Sequence, residues 1–580
     1  MMNGNNPNSI IMRNNIVLVI VLIVFFAGIS ACHSPEEASN TEKRYGINSI
    51  TASFPYEYST ENNFPGEIDY ANQIITIVFP YNYPKLSDNI LPYECLKKVK
   101  LSAKVDNNII ISPSMGYFDL TKDCYITVKD QTANTSQKYK IIAEIRKNDA
   151  CTIDRFSIPS KGLTGVIDEK NHIISIISIA DIGEQVAEIT LAHGATCTPN
   201  LQNMSLNYDQ EQIVKVVAQN GKDFLTYTIK KNVPDKIAAG IRANSGKLLW
   251  AKKLSEIGIT SKNKVTSLGI LDDYVIINER GNGEAIYLNN QSGEVVGKMD
   301  ISTTVTGDFG NYYMTSDNAN NILICNYTPN GTTMFTVWKT NGINGQFQKY
   351  IDYKAVTAGT ERFGWSISIQ GNLDKDALIT TPVFYKDGKI QFARWQVVNG
   401  VLQSQIPTFI EMKSLVYNTW FKQADIIYTD PSNTESDYFL ASYAKYDVDQ
   451  KRYFLWFNGA DNTIKAKKEV PSSINGPVTA VDYIEFNNTP YVAHTIVNGF
   501  SWAVTGSDIA YMYDLSTQSL TTPIEICETK IYGGIANDGQ NTEGASDVVL
   551  RASKDGYYLY VYFMFANGYV ACKQYDCIDQ

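Results

Sequence analysis

The residues best able to carry chemistry in this 580-residue chain are few, and their spacing limits what they can do. Only four histidines occur, His33, His172, His193 and His494. The last stands alone in the C-terminal half, inside the apolar run Tyr491-Val492-Ala493-His494-Thr495. One histidine cannot build a multi-histidine metal site, and Ser-His-Asp or Cys-His catalysis would rest on it alone. A structural core histidine is therefore expected. Glycoside hydrolysis needs only two carboxylates. Yet Asp308, Asp317, Asp374, Asp376, Asp425, Asp482 and Asp508 lie near expected strand ends or turns, where Asp is common, and no motif singles out a pair. No glycine loop links a strand to a helix to cradle phosphate. Asp447-Val448-Asp449 lacks the spacing of a calcium loop. No metal and no cofactor is expected.

Tryptophan is more informative. All seven fall between Trp250 and Trp502. Trp338, Trp395 and Trp456 read as equivalent packing positions in successive strand repeats. Trp365, Trp420 and Trp502 sit in the short aromatic segments Phe363-Gly364-Trp365-Ser366, Asn418-Thr419-Trp420-Phe421 and Phe500-Ser501-Trp502. Phe309-Gly310-Asn311-Tyr312 is the matching segment one repeat earlier. These turns are expected to enter innermost strands and ring one mouth of a central channel. Flat aromatic faces beside Asn, Gln and Asp suit sugar rings, whose C–H faces stack while hydroxyls find polar partners. Trp365, Trp420, Trp502, Tyr312 and Phe309 are the candidate ligand-binding residues; the alternative is that they only seal the funnel.

Cys32 points to a different chemistry. Arg13 precedes the apolar run IVLVIVLIVFFAG (16–28), followed by Ile29-Ser30-Ala31-Cys32. A positive start, a short apolar stretch and small residues before the cut describe a secretory signal. The stretch is too short for a comfortable transmembrane helix. Cysteine directly after small residues resembles a lipobox, so cleavage should leave Cys32 as a lipid-modified first residue; a plain signal or membrane anchor is the alternative. The other eight cysteines are irregularly spaced and form no C-x-x-C. Cys572 and Cys577 are a candidate disulfide, but buried free thiols are expected for most of the eight.

These residues must be held by strands. Hydrophobic residues make up 44% and charged residues only 19%, which indicates an ordered globular chain. The 37 tyrosines belong to strand chemistry, as do the plentiful Asn, Thr, Ser and Ile. A net charge of −10 argues against nucleic acid as a partner. Residues 32–46 are polar and aperiodic, a tether. Gly66-Glu67-Ile68-Asp69 before Ile74-Ile75-Thr76-Ile77 recurs 99 residues later as Gly165-Val166-Ile167-Asp168 before Ile173-Ile174-Ser175-Ile176. Such units match immunoglobulin-like sandwiches, expected at 47–147 and 148–235, with each Asp in a turn. From 236 to 580 strand triplets recur, with third strands near residues 285, 334, 390, 453, 509 and 569. About six propeller blades are expected, with 247–253 (KLLWAKK) supplying the outer strand that closes the ring. Five or seven blades, or a stack of sandwiches, are the alternatives. The fold class is all-β: two sandwiches, then a propeller.

The aromatic opening strand, the Gly-x-Ile-Asp turn and the Ile-rich strand after it resemble the DUF5018-type domains of Bacteroidota surface lipoproteins. Glu36-Glu37 behind Cys32 resembles their surface-export signal. The resemblance implies an outer-membrane, cell-surface location and an anchor through the lipid on Cys32. It further implies a glycan ligand and an outer-membrane uptake complex as partner. Together with the scarcity of catalytic histidines, this favours a non-catalytic binder of oligo- or polysaccharide over an enzyme. A propeller glycoside hydrolase or polysaccharide lyase, and a protein-interaction scaffold, are the alternatives.

Overall fold

The computed structural model describes residues 46–579 except 56, 58, 262–263, 308, 330–332, 355–360, 386–389, 414–423, 445–448, 475, 498–507, 530, 533–534, 537–543 and 567. Cys32, Asp308, Trp420, Asp447 and Trp502 lie outside the described residues. The chain divides into two compact units, one running through Ile176 and resuming at Ile182–Lys231, the other comprising Ile177–Asp181 and Asn232–Gln580.

The first unit holds an eight-stranded and a seven-stranded sheet among the described residues, each wrapped around its own core. Alternation of apolar and polar residues gives each strand one buried face, as in Ile74–Pro80, where Ile75, Ile77 and Phe79 point inward. Ile74–Pro80 also pairs in parallel with Thr135–Arg146, bringing distant strands together. The sequence repeat is one hairpin used twice. Gly66 faces Ile77 and Asp69 faces Ile74; Gly165 faces Ile176 and Asp168 faces Ile173. A Cβ on Gly66 would meet Ile50 Cγ2 at 2.5 Å, and one on Gly165 would meet Ile174 Cγ2 at 2.6 Å. Only glycine lets the core chain pack there. Asp69 Oδ1 accepts the amides of Ala71 and Asn72, both at 3.0 Å, and Asp168 Oδ1 accepts those of Lys170 and Asn171 at 3.1 and 3.2 Å. Both aspartates close turns.

The second unit is a β-propeller with six blades among the described residues. Its innermost strands are Val265–Ile270, Tyr313–Ser316, Ser368–Gly371, Ala424–Tyr428, Val478–Phe486 and Ser546–Ala552, belonging to blades 1 to 6 in order. Each packs on the next and the sixth on the first, closing the ring. Closure uses the segment expected from sequence. Lys247–Lys253 pairs antiparallel with Tyr569–Asp576 and becomes the outer strand of blade 6. Arg242 reinforces it, donating from Nε and Nη2 to the two carboxylate oxygens of Asp576, each at 2.7 Å.

Two expectations need correction. Trp338 and Trp395 pack toward the preceding blade, but Trp456 packs toward blade 5. The bulge in blade 2 falls before Trp338 and that in blade 4 after Trp456, so the positions are not equivalent. Cys572 and Cys577 do not pair; all eight described cysteines are free. Five residues apart on an extended segment, the two thiols enter cores on opposite sides of their blade.

Candidate functional site

The six inner strands run in one direction and create two mouths, one where they begin (proximal) and one where they end (distal). Polar groups stitch neighbouring blades around the channel between them. Asp425 of blade 4 accepts the Val481 amide of blade 5 at 3.1 Å. Asp482 of blade 5 accepts Leu550 N of blade 6 at 2.7 Å, and Asp547 of blade 6 accepts Leu268 N of blade 1 at 2.7 Å. Asp425 also accepts Ser368 Oγ and its own neighbour Ile426 N. Burial pushes the carboxyls of Asp425 and Asp482 up to about 6, against the pull of these hydrogen bonds. Asp547 is raised too, by burial and by the other two carboxylates.

The channel is not an open passage. Tyr313 of blade 2 is buried near Asp547 of blade 6, and burial together with that carboxylate raises its hydroxyl pKa. Arg551 of blade 6 donates from Nη2 to Ser316 O of blade 2 at 2.6 Å and stands 3.9 Å from Asp482. The space among these side chains is about 30 Å³, on the scale of one or two waters.

At the proximal mouth the structure brings three of the candidate residues together. Phe309, Tyr312 and Trp365 form one cluster with Tyr327, a residue outside the aromatic segments. Ring centroids are 5.4 Å apart for Tyr312 and Trp365, 5.1 Å for Tyr312 and Tyr327, and 5.6 Å for Phe309 and Tyr327. Arg280 lies over the Tyr312 ring at 5.3 Å and donates from Nη1 to its hydroxyl at 3.2 Å. Burial raises the Tyr327 hydroxyl pKa, against the pull of the nearby Arg362 guanidinium. Tyr312 and Tyr327 are buried, Trp365 is half-buried and Phe309 is 40% exposed. The two tyrosines are therefore a platform, and Phe309 and Trp365 are the faces it presents. Tyr327 could have been found by its place just after the second strand of blade 2, across from Phe309, whose carbonyl accepts its amide at 2.9 Å.

Trp420 precedes the inner strand Ala424–Tyr428 in sequence, as expected. Trp502 does not precede an inner strand. It falls between Thr489–Ile496 and Asp508–Asp514, the second and third strands of blade 5. Those strand ends pair with each other, and Ile496 pairs with Val478, where the inner strand begins. His494 is buried, stacked on Phe454 at 4.4 Å and on Tyr513 at 5.7 Å, with no hydrogen-bond partner on either ring nitrogen among the described residues. Burial drives its pKa down to about 3, so the ring is neutral.

The distal mouth holds a cavity of about 580 Å³ that takes residues from all six blades. Nothing in the sequence pointed to it, because its wall is assembled from turn residues of separate blades.

Comparison with known proteins adds family membership. No curated protein matches. Among solved structures, a DUF4623 family protein from Bacteroides eggerthii DSM 20697 is 12% identical, with a TM-score of 0.43 over 74% of this chain and 99% of that one. The Kuenenia stuttgartiensis hydrazine synthase is 11% identical, with a TM-score of 0.29 over 52% and 74%. The WD40 domain of Toxoplasma gondii coronin is 8% identical, with a TM-score of 0.31 over 59% and 90%. Residues 27–143 match the domain of unknown function DUF5018, and residues 153–231 match another, DUF8499. Residues 248–576, more than half of the chain, match the domain of unknown function DUF8500, and the chain belongs to that family.

Proposed function

We propose that this protein is a non-catalytic surface binder, lipid-anchored through Cys32 at the outer membrane, whose propeller captures an oligosaccharide at the proximal mouth. The observation that carries the reading is the aromatic platform, with Phe309 and Trp365 presented on buried Tyr312 and Tyr327 and flanked by Arg280 and Arg362. Rings already packed on neighbours lose little freedom on binding, so stacking against a sugar face is pre-organised. Trp420 and Trp502 extend this site in the proposal.

The channel carboxylates raise the rival reading of a glycoside hydrolase, because a carboxyl near pKa 6 suits a general acid. Their hydrogen bonds answer it. Each of the three accepts a backbone amide of the next blade, and Arg551 bridges the channel beside them. These carboxylates hold the ring together.

The test is an affinity screen of the protein against soluble polysaccharides, with each mixture assayed for new reducing ends and unsaturated products. Binding without product is expected. A Phe309→Ala, Trp365→Ala variant, with Trp420→Ala and Trp502→Ala added, should stay folded and bind the selected glycan at least tenfold more weakly. Undiminished affinity would remove the platform as the site, and turnover would make the protein an enzyme.

A further inference from the structure

We infer that the distal mouth is a second, separate binding site, for a short polyhydroxylated ligand without negative charge, of about one or two sugar rings. It goes beyond the proximal capture site and stands on different residues.

The size comes first. About 580 Å³ lies within the range of roughly 300–1,000 Å³ that encloses a small ligand and is too small for a long chain. The cavity also has a floor, because Arg551 bridges to Ser316 beneath it, with Asp482 beside them. A ligand entering the distal mouth cannot continue to the proximal one.

The chemistry of the wall sets the ligand class. Tyr483 and Tyr560 line it with half-buried rings, and Asn318 and Gln370 add amides that both donate and accept. That mixture of flat rings and amide groups matches the C–H faces and hydroxyls of a sugar. The charge excludes anions. Of the two cations lining the cavity, Lys554 is 2.9 Å from Asp272 and Arg551 is already turned to Ser316 and Asp482. Asp273 and Glu485 remain on the wall without a cation of their own within ion-pair distance among the described residues, and both are exposed. A uronate or phosphorylated sugar would meet them directly.

The experiment is calorimetric titration of the full mature chain with neutral disaccharides (maltose, cellobiose, chitobiose) and with digalacturonate. At least one neutral disaccharide should bind, with digalacturonate at least tenfold weaker. Ala552 is exposed at the end of the blade 6 inner strand and lines the cavity, so Ala552→Trp fills the space from a position that tolerates bulk. It should weaken disaccharide binding at least tenfold, whereas Trp365→Ala should leave it unchanged. Should Ala552→Trp fail to fold, Asn318→Ala with Gln370→Ala must produce the loss instead. The inference is overturned if no neutral disaccharide binds, if digalacturonate binds equally well, or if the cavity variants keep full affinity. Loss with Trp365→Ala alone would assign the signal to the proximal mouth, upholding the capture site and removing this one.

Discussion

At the scale of single residues, the propeller buries two kinds of titratable group whose effects on stability run in opposite directions. His494 has a folded pKa of about 3 against an ordinary 6.5. As pH falls below 6.5 the unfolded chain takes up a proton that the folded chain refuses, so stability declines toward acid. Asp425 has a folded pKa of about 6 against an ordinary 3.8. There the folded chain takes up the proton first, so this contribution is complete below 3.8 and is lost as pH rises through 6. His494→Leu should therefore gain on the wild type as pH falls from 6.5, and Asp425→Asn should lose on it as pH falls from 6. Between pH 6 and 4 each slope should be about 1.4 kcal/mol per pH unit. Asparagine also turns an amide donor or an oxygen toward the Val481 and Ile426 amides, a fixed cost that shifts the Asp425→Asn curve without altering its slope. Urea midpoints across this range measure both. Parallel profiles for variant and wild type would mean these groups titrate alike folded and unfolded.

At the scale of elements, the closing strand shows what a sequence can and cannot declare. Lys247–Lys253 was legible because a ring whose last blade runs out at three strands leaves an edge unpaired, and a spare strand stood ahead of the first blade. The six third strands were legible for a similar reason, since β-branched and aromatic alternation is written locally. What faces what was not legible. A one-residue offset along the third strand reverses which blade a tryptophan meets, as Trp456 shows against Trp338. The packing of Trp365 of blade 3 on Tyr312 and Tyr327 of blade 2, the carboxylate stitches and the distal cavity all depend on contacts between blades, and no spacing in one strand encodes them. Trp250 ties the closing strand to its neighbour, for its Nε1 donates to Asn290 O of blade 1 at 2.8 Å from a ring buried against Tyr562. Trp250→Ala leaves that carbonyl unpaired and opens a void at the closure. It should destabilise the propeller by about 3–5 kcal/mol. A loss below about 1 kcal/mol in denaturant unfolding would mean that closure does not depend on this contact.

At the scale of the whole molecule, separate cores imply separate unfolding. The sandwich unit rests on two hydrophobic clusters of its own, and the propeller's clusters lie between blades and close on themselves around the ring. A domain with its own core unfolds as its own cooperative unit. Calorimetry of the protein should therefore resolve the unfolding of the sandwich unit, with its two cores, from a propeller transition, the latter identified by its loss of stability in Trp250→Ala. This separation gives the binding proposals a readout that needs no knowledge of the bound geometry. A ligand that binds only the folded propeller raises that transition alone. At one hundred times its Kd the stabilisation is about 2.7 kcal/mol. The glycan selected by the affinity screen should move the propeller peak upward and leave the sandwich peak in place. If the sandwich peak moved instead, ligand capture would belong to the N-terminal unit, and the propeller mouths would need another occupant.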